Sequence, residues 1–414
     1  MNLSRKTNWP DVAAPAEVSK KMLRLIFVMG SFAMTVSLCG QADGQAGTKR
    51  LEKQDQQKLS NPLTDPKAKT QTKALPTNQR PVTQRPRTPK QSTQQSRKQI
   101  ARPTNPGSRK QVEIPKPEHL ILDTSDGVRL KCTYFAPPKV ETVEGEEARP
   151  VLPFILLHDW DGDRRQLFTY ASFLQRAGHA AIVPDLRGHG ESVQVQGVSK
   201  PIDYQKFRKQ EVMSAQKDIE RCKKFLVQRH NKQELNVDLL CVVAVGETSV
   251  LAVQWTLNDW FAYPAMDADG IKQGQDVKAL MLVSPVKKIA GISMLQNLKH
   301  PLYTGAGGAA LPMLVLWGAA EDTARESEAI AKLIEKSRPD VSKIEDDAKR
   351  LESTSFFSVP VRKYKFSGVE LMEAQRVKNF WPYISNKLFE QKVVAQAKNF
   401  PWVSREAKSE EDEQ

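Results

Sequence analysis

Two adjacent hydroxyls, Thr248 and Ser249, follow Gly246-Glu247 directly after the apolar run 237–245. A hydroxyl at its ordinary pKa is a weak nucleophile and gains reactivity only from a neighbouring base, itself oriented by a third group. Glu321 and Asp322, shortly after the apolar run 313–316, are candidates for the orienting acid. The base is harder to find, because all six histidines (His119, His158, His179, His189, His230 and His300) lie at or before residue 300. His158, in Leu157-His158-Asp159-Trp160, is the one beside a candidate pocket, and closing a strand–loop junction is the more ordinary role for such a residue. Asp159-Trp160-Asp161-Gly162-Asp163 places three carboxylates in five positions. It lacks the glutamate that completes a calcium loop, so no metal is expected. The cysteines, Cys39, Cys132, Cys222 and Cys241, are too widely separated for a zinc site or a disulfide framework. No phosphate-cradling or dinucleotide-binding glycine pattern occurs, so no cofactor is expected.

The elements that would position these residues are legible from apolar periodicity. Two short strands, 118–123 and 128–134, flank the turn Ser125-Asp126-Gly127. Continuous apolar runs at 151–157, 180–183, 237–245, 279–283 and 313–316 read as strands buried on both faces. Helical patterns fall between them at 166–177, 207–228, 248–260 and 324–336. A strand at 356–366 and a helix over 371–393 complete the series. A hairpin followed by repeated strand–helix units predicts one α/β domain over 113–395, a doubly wound, mostly parallel sheet of about eight strands with helices on both faces. The acidic residues 396–414 read as a C-terminal tail.

Three stretches, in this order, carry a resemblance to the α/β-hydrolase fold. Phe154-Ile155-Leu156-Leu157-His158-Asp159-Trp160 resembles its His-Gly oxyanion segment. Pro184-Asp185-Leu186-Arg187-Gly188-His189-Gly190-Glu191-Ser192 is similar to its Asp-x-Arg-Gly-His-Gly-x-Ser turn. Ala244-Val245-Gly246-Glu247-Thr248-Ser249-Val250 stands where the family places its nucleophile elbow. The likeness covers roughly residues 117–393 and points to the serine hydrolase, lysophospholipase and dienelactone hydrolase branches.

The resemblance implies a Gly-x-nucleophile-x-Gly turn, with the nucleophile in a strained positive-φ backbone. Aligned on Gly246, the nucleophile position is Thr248 and the second glycine is Val250. Both are β-branched, which predicts a relaxed turn that presents no strained hydroxyl. Ser249 is the alternative nucleophile, displaced by one. The family's histidine should follow the last strand, and that loop reads Phe366-Ser367-Gly368-Val369-Glu370. Thr248, Glu321 and Asp322 are thus degenerate triad positions, with His158, Asp159, Trp160 and Ser249 lining the pocket. The leading expectation is a protein without hydrolase activity that binds a small molecule or a protein. An active esterase or peptidase using Thr248 or Ser249, and a structural cell-envelope protein, are the alternatives.

Charge is distributed unevenly. Of the net +14, residues 41–110 contribute +12, from 16 Lys/Arg against 4 Asp/Glu. Residues 1–40 add +3, so residues 111–414 are near neutrality. That excludes a uniformly basic nucleic-acid-binding domain, and the basic stretch has no aromatic residue to stack bases. Lys20-Lys21 and the short apolar run 25–38 describe an export signal over 1–42, with cleavage after Ala42. An uncleaved anchor over 22–39 and lipidation at Cys39 are the other readings. Residues 43–112, rich in Gln, Thr, Pro and Lys/Arg, read as a disordered linker that could rest on an anionic envelope surface. The expected location is periplasmic or at the cell envelope.

Overall fold

The computed structural model describes residues 113–139, 149–261, 272–318, 321–362, 365–373 and 381–406. The expected signal, the linker and residues 407–414 lie outside them. Eight strands form one sheet: β1 (Glu118–Asp123), β2 (Arg129–Phe135), β3 (Pro153–Leu157), β4 (Ala180–Pro184), β5 (Leu240–Val245), β6 (Val277–Val283), β7 (Met313–Gly318) and β8 (Phe356–Val361). Their spatial order is β1-β2-β4-β3-β5-β6-β7-β8. β1 pairs antiparallel with β2, and β2 antiparallel with β4. Every later pairing is parallel. This order, with its antiparallel second strand, is the α/β-hydrolase arrangement.

Alternation along the strands sorts side chains onto two dry faces. Ile155, Val242 and Leu280 face one core, with Ile219 and Leu226 of α2 (Gln216–Asn231) and Leu251 of α3 (Thr248–Phe261). Ile330 and Ile334 of α4 (Glu321–Ser337) join the same side. Phe154, Val243 and Met281 face the other core, with Tyr170 and Leu174 of α1 (Phe168–Arg176) and with Ile384 and Phe389 near the C-terminus. Both faces are covered, so these strands read as unbroken apolar runs rather than alternating ones.

The structure departs from the sequence reading where local bonding overrides periodicity. The expected helix 207–228 divides into Lys209–Ser214 and α2, because the Ala215 N–H bonds to Val212 O at i→i+3 spacing. Residues Val237–Leu239 form a 3₁₀ turn rather than the start of β5, capped by the Asn236 side chain. The last helix gives way to a π-turn at Asn386–Glu390. The domain also runs past the boundary expected at 395. The Trp402 indole N–H donates to His230 O (2.8 Å), and the His230 ring bonds Val403 O (2.7 Å). Buried Arg405 pairs with Asp276 and Asp238. The acidic composition of the tail hid these anchors, which precede its charges.

Candidate functional site

In this fold chemistry is built at the C-terminal ends of the strands, where loops after β3, β4, β5 and β8 meet. The turn after β5 carries the first finding. Its positive-φ residue is Gly246 (φ +58°), and helix α3 starts two residues later at Thr248. The apex of the elbow is therefore Gly246, not Thr248. The small flanking positions the elbow requires are Ala244 and Thr248, and Val250 sits in the core. The positive-φ turn is retained, with a glycine at its apex.

Thr248 does something else there. Buried in the first turn of α3, its hydroxyl donates towards two main-chain carbonyls, His158 O at 2.9 Å and Val245 O at 2.8 Å. It ties the β5 turn to the β3 loop. Ser249, also buried, lies 3.4 Å from Ala244 O within its own segment. Both hydroxyls face backbone rather than a pocket.

Asp159 holds the centre of the site. Its carboxylate accepts the Trp160 N–H at 2.8 Å, and the main-chain N–H of Glu247 also favours its charged form. Glu247 follows the apex, and Trp160 lies in the loop after β3, so these are the two positions from which this fold draws its oxyanion-hole donors. The Asp159 carboxylate binds the second of them. A Cβ on Gly246 would lie 2.1 Å from Asp159 Oδ1, and one on Gly368, after β8, 3.1 Å from Oδ2. The Asp159 side chain fills the volume between the nucleophile position and the histidine position. Burial raises its pKa, and burial with neighbouring Asp159 and Asp161 raises that of Glu247.

His158 is no base. Its Nε2 accepts the Leu186 N–H at 3.1 Å, which leaves the proton on Nδ1 for Asp159 O at 2.7 Å. Burial, with His189 beside it, lowers its pKa to about 3, so the ring is neutral and both nitrogens are engaged. Trp160 packs edge-on against His189 (centroids 4.6 Å apart), which stacks on Tyr204 at 4.0 Å. Beyond β8, Gly368 donates its N–H to Ser284 Oγ (2.8 Å), where the family's histidine would stand. Glu321 and Asp322 open α4, but their side chains lie outside the described residues.

The turn after β4 is held by two charged residues. Asp185, fully buried, accepts the Arg164 N–H (2.7 Å), the Glu191 N–H (2.8 Å) and the Arg164 guanidinium. Arg187 reaches Asp126 in the β1–β2 turn (2.8 Å) and Asp218 on α2 (2.6 Å). Burial lifts Asp218 to about 6 against the pull of Arg187. Asp163 accepts the Arg165 N–H and pairs with its guanidinium, so the aspartates of 159–163 point to separate tasks. Among the described residues no cluster has the makings of a metal site.

This geometry defines an α/β-hydrolase-fold domain. No family model matches the sequence. No curated protein matches it either. Among solved structures, fungal esterases of Rhizomucor miehei align at 11% identity over 69% of this chain and 87% of theirs, with a TM-score of 0.44. A soluble variant of monoglyceride lipase from Saccharomyces cerevisiae aligns at 9% identity over 68% and 97%, also at 0.44. A dienelactone hydrolase from Anabaena variabilis aligns at 13% identity over 67% and 100%, at 0.36.

Proposed function

We propose that this is an exported α/β-hydrolase-fold protein that has lost hydrolytic chemistry and acts by binding. The observation that carries the reading is the Asp159 carboxylate, bonded to the Trp160 N–H and packed against a glycine apex. An oxyanion forming there would meet a negative charge where it needs N–H groups. No hydroxyl stands at the strained position to attack, and His158 is engaged with backbone at both ring nitrogens. Export rests on Lys20-Lys21 and the apolar run 25–38.

One preparation tests both parts. The intact mass of the mature protein is expected to correspond to a start near Asp43. Incubation with a fluorophosphonate probe is expected to leave that mass unchanged, and p-nitrophenyl ester turnover to equal background. Stoichiometric labelling that disappears in Thr248→Ala or Ser249→Ala would overturn the silent-site reading in favour of an active hydrolase. An intact Met1 would overturn signal cleavage.

A further inference from the structure

The opposite end of the sheet, where the parallel strands begin, holds a cavity of about 1790 Å³. That exceeds the ~300–1,000 Å³ common for small-molecule sites. Trp260, Leu311, Phe356 and Phe400 supply apolar wall. Beside it runs a buried ionic network. Lys223 pairs with Asp259 and Asp276, Lys272 with Asp238 and Asp276, and Arg405 with Asp238 and Asp276. Three cations meet three carboxylates, and the network is balanced.

Of the further cations lining the cavity, Lys278, Arg338 and Lys392 stand deepest and belong to no such pair. Lys278 donates to Gln275 O and lies 4.5 Å from the Phe400 ring centroid and 5.6 Å from that of Trp260. Arg338 donates to the carbonyls of Tyr303, Leu311 and Ser355. Lys392 donates to those of Leu351 and Glu352. Among the described residues none of the three makes an ion pair; of the lining carboxylates, Glu335, Asp340, Glu352 and Glu406 are exposed and Asp238 is held in the network. Lys392 is buried and Lys278 and Arg338 are half-buried; cations bonded only to neutral groups there are costly, and an anion in the cavity would supply a partner.

We propose that this cavity binds an amphiphilic monoanion, an apolar chain ending in a carboxylate, with the head on Lys278 between Trp260 and Phe400 and the chain along the apolar wall. Charge complementarity selects the head and the lining selects the body. Burial, helped by Lys272 and opposed by Asp276, Asp238 and Asp259, lowers the pKa of Lys278 to about 8, so the site accepts an anion at neutral pH and releases it in base. The assignment builds on the binding role proposed above and names its ligand class.

Calorimetric titration of the full chain with decanoate and with decan-1-ol, both below self-association, tests it. Decanoate is expected to bind saturably at one site and more tightly than decanol. Lys278→Met is expected to weaken decanoate at least tenfold and leave decanol unchanged, while Lys332→Met, on the exposed face of α4, changes neither. Wild-type affinity for decanoate is expected to fall above pH 8, with no such fall in Lys278→Met. Equal affinity for acid and alcohol, no saturation, or an unaltered Lys278→Met would overturn the proposal. Phosphonate labelling alongside intact decanoate binding would refute the silent site alone, and absent binding without labelling would refute this site alone.

Discussion

The two ends of the parallel sheet treat polar groups in opposite ways. At the C-terminal end, Thr248, His158 and Asp159 all satisfy main-chain groups of neighbouring loops. At the N-terminal end, Lys278, Arg338 and Lys392 meet neutral carbonyls, a hydroxyl and aromatic rings beside a large cavity. Polar groups fully engaged with backbone hold a structure in place, whereas buried charge lacking a counter-ion costs stability and is retained where it meets a ligand. The fold thus keeps its architecture at the end where relatives of its class do chemistry, and its unmet electrostatic capacity at the other.

Gly246→Ala carries the largest expected effect. The new Cβ would meet Asp159 Oδ1 at 2.1 Å in a positive-φ backbone. Together these cost about 2–4 kcal/mol, measured by chemical denaturation. Adding Asp159→Gly should recover the steric part and leave the ~1–2 kcal/mol of backbone strain. If Gly246→Ala proves neutral, Asp159 does not fill the elbow and the contrast between the two ends collapses.

Lys278→Met tests the other end with the opposite sign. The folded-state pKa of Lys278, about 8, lies below its ordinary 10.5, so its charged form opposes folding. That opposition is complete below pH 8 and fades as pH rises to 10.5. The variant is therefore expected to be more stable than wild type at pH 7, by about 2 kcal/mol after losing its cation–π contacts. The difference should shrink as denaturation is repeated from pH 8 to 10.5. A variant less stable than wild type at pH 7 would mean that the lysine serves the fold. Thr248→Val should show the smallest effect, about 1 kcal/mol for one lost hydroxyl bond, with unchanged background esterase turnover.

Much of this was written in the sequence. The runs 151–157, 180–183 and 279–283 announced strands buried on both faces, and their order foretold the sheet. The elbow register was not legible from glycine spacing, because Gly246 matches the first small position of the motif as well as the apex. The better signal is Ala244-x-Gly246-x-Thr248, small residues two either side of a residue that tolerates positive φ. Asp159 stands in the sequence where the family has glycine. Its contact with residue 246 depends on two loops 87 positions apart, which local pattern does not encode. The cavity at the far end was equally hidden, since its walls come from strand beginnings and from Phe400, which composition assigned to a tail.

The Arg187 bridge has a kinetic side. It joins the β1–β2 turn, the loop after β4 and helix α2 through partners 61 and 31 positions away. Those three stretches meet only after the antiparallel edge has docked on the parallel sheet and α2 has packed across it. Contacts of such long range close late, when most of the native surface is already buried. Bonds absent from the transition state leave the folding rate nearly untouched and set the unfolding rate instead. Arg187→Met is therefore expected to speed unfolding several-fold and leave the folding rate nearly unchanged, as a chevron plot would measure.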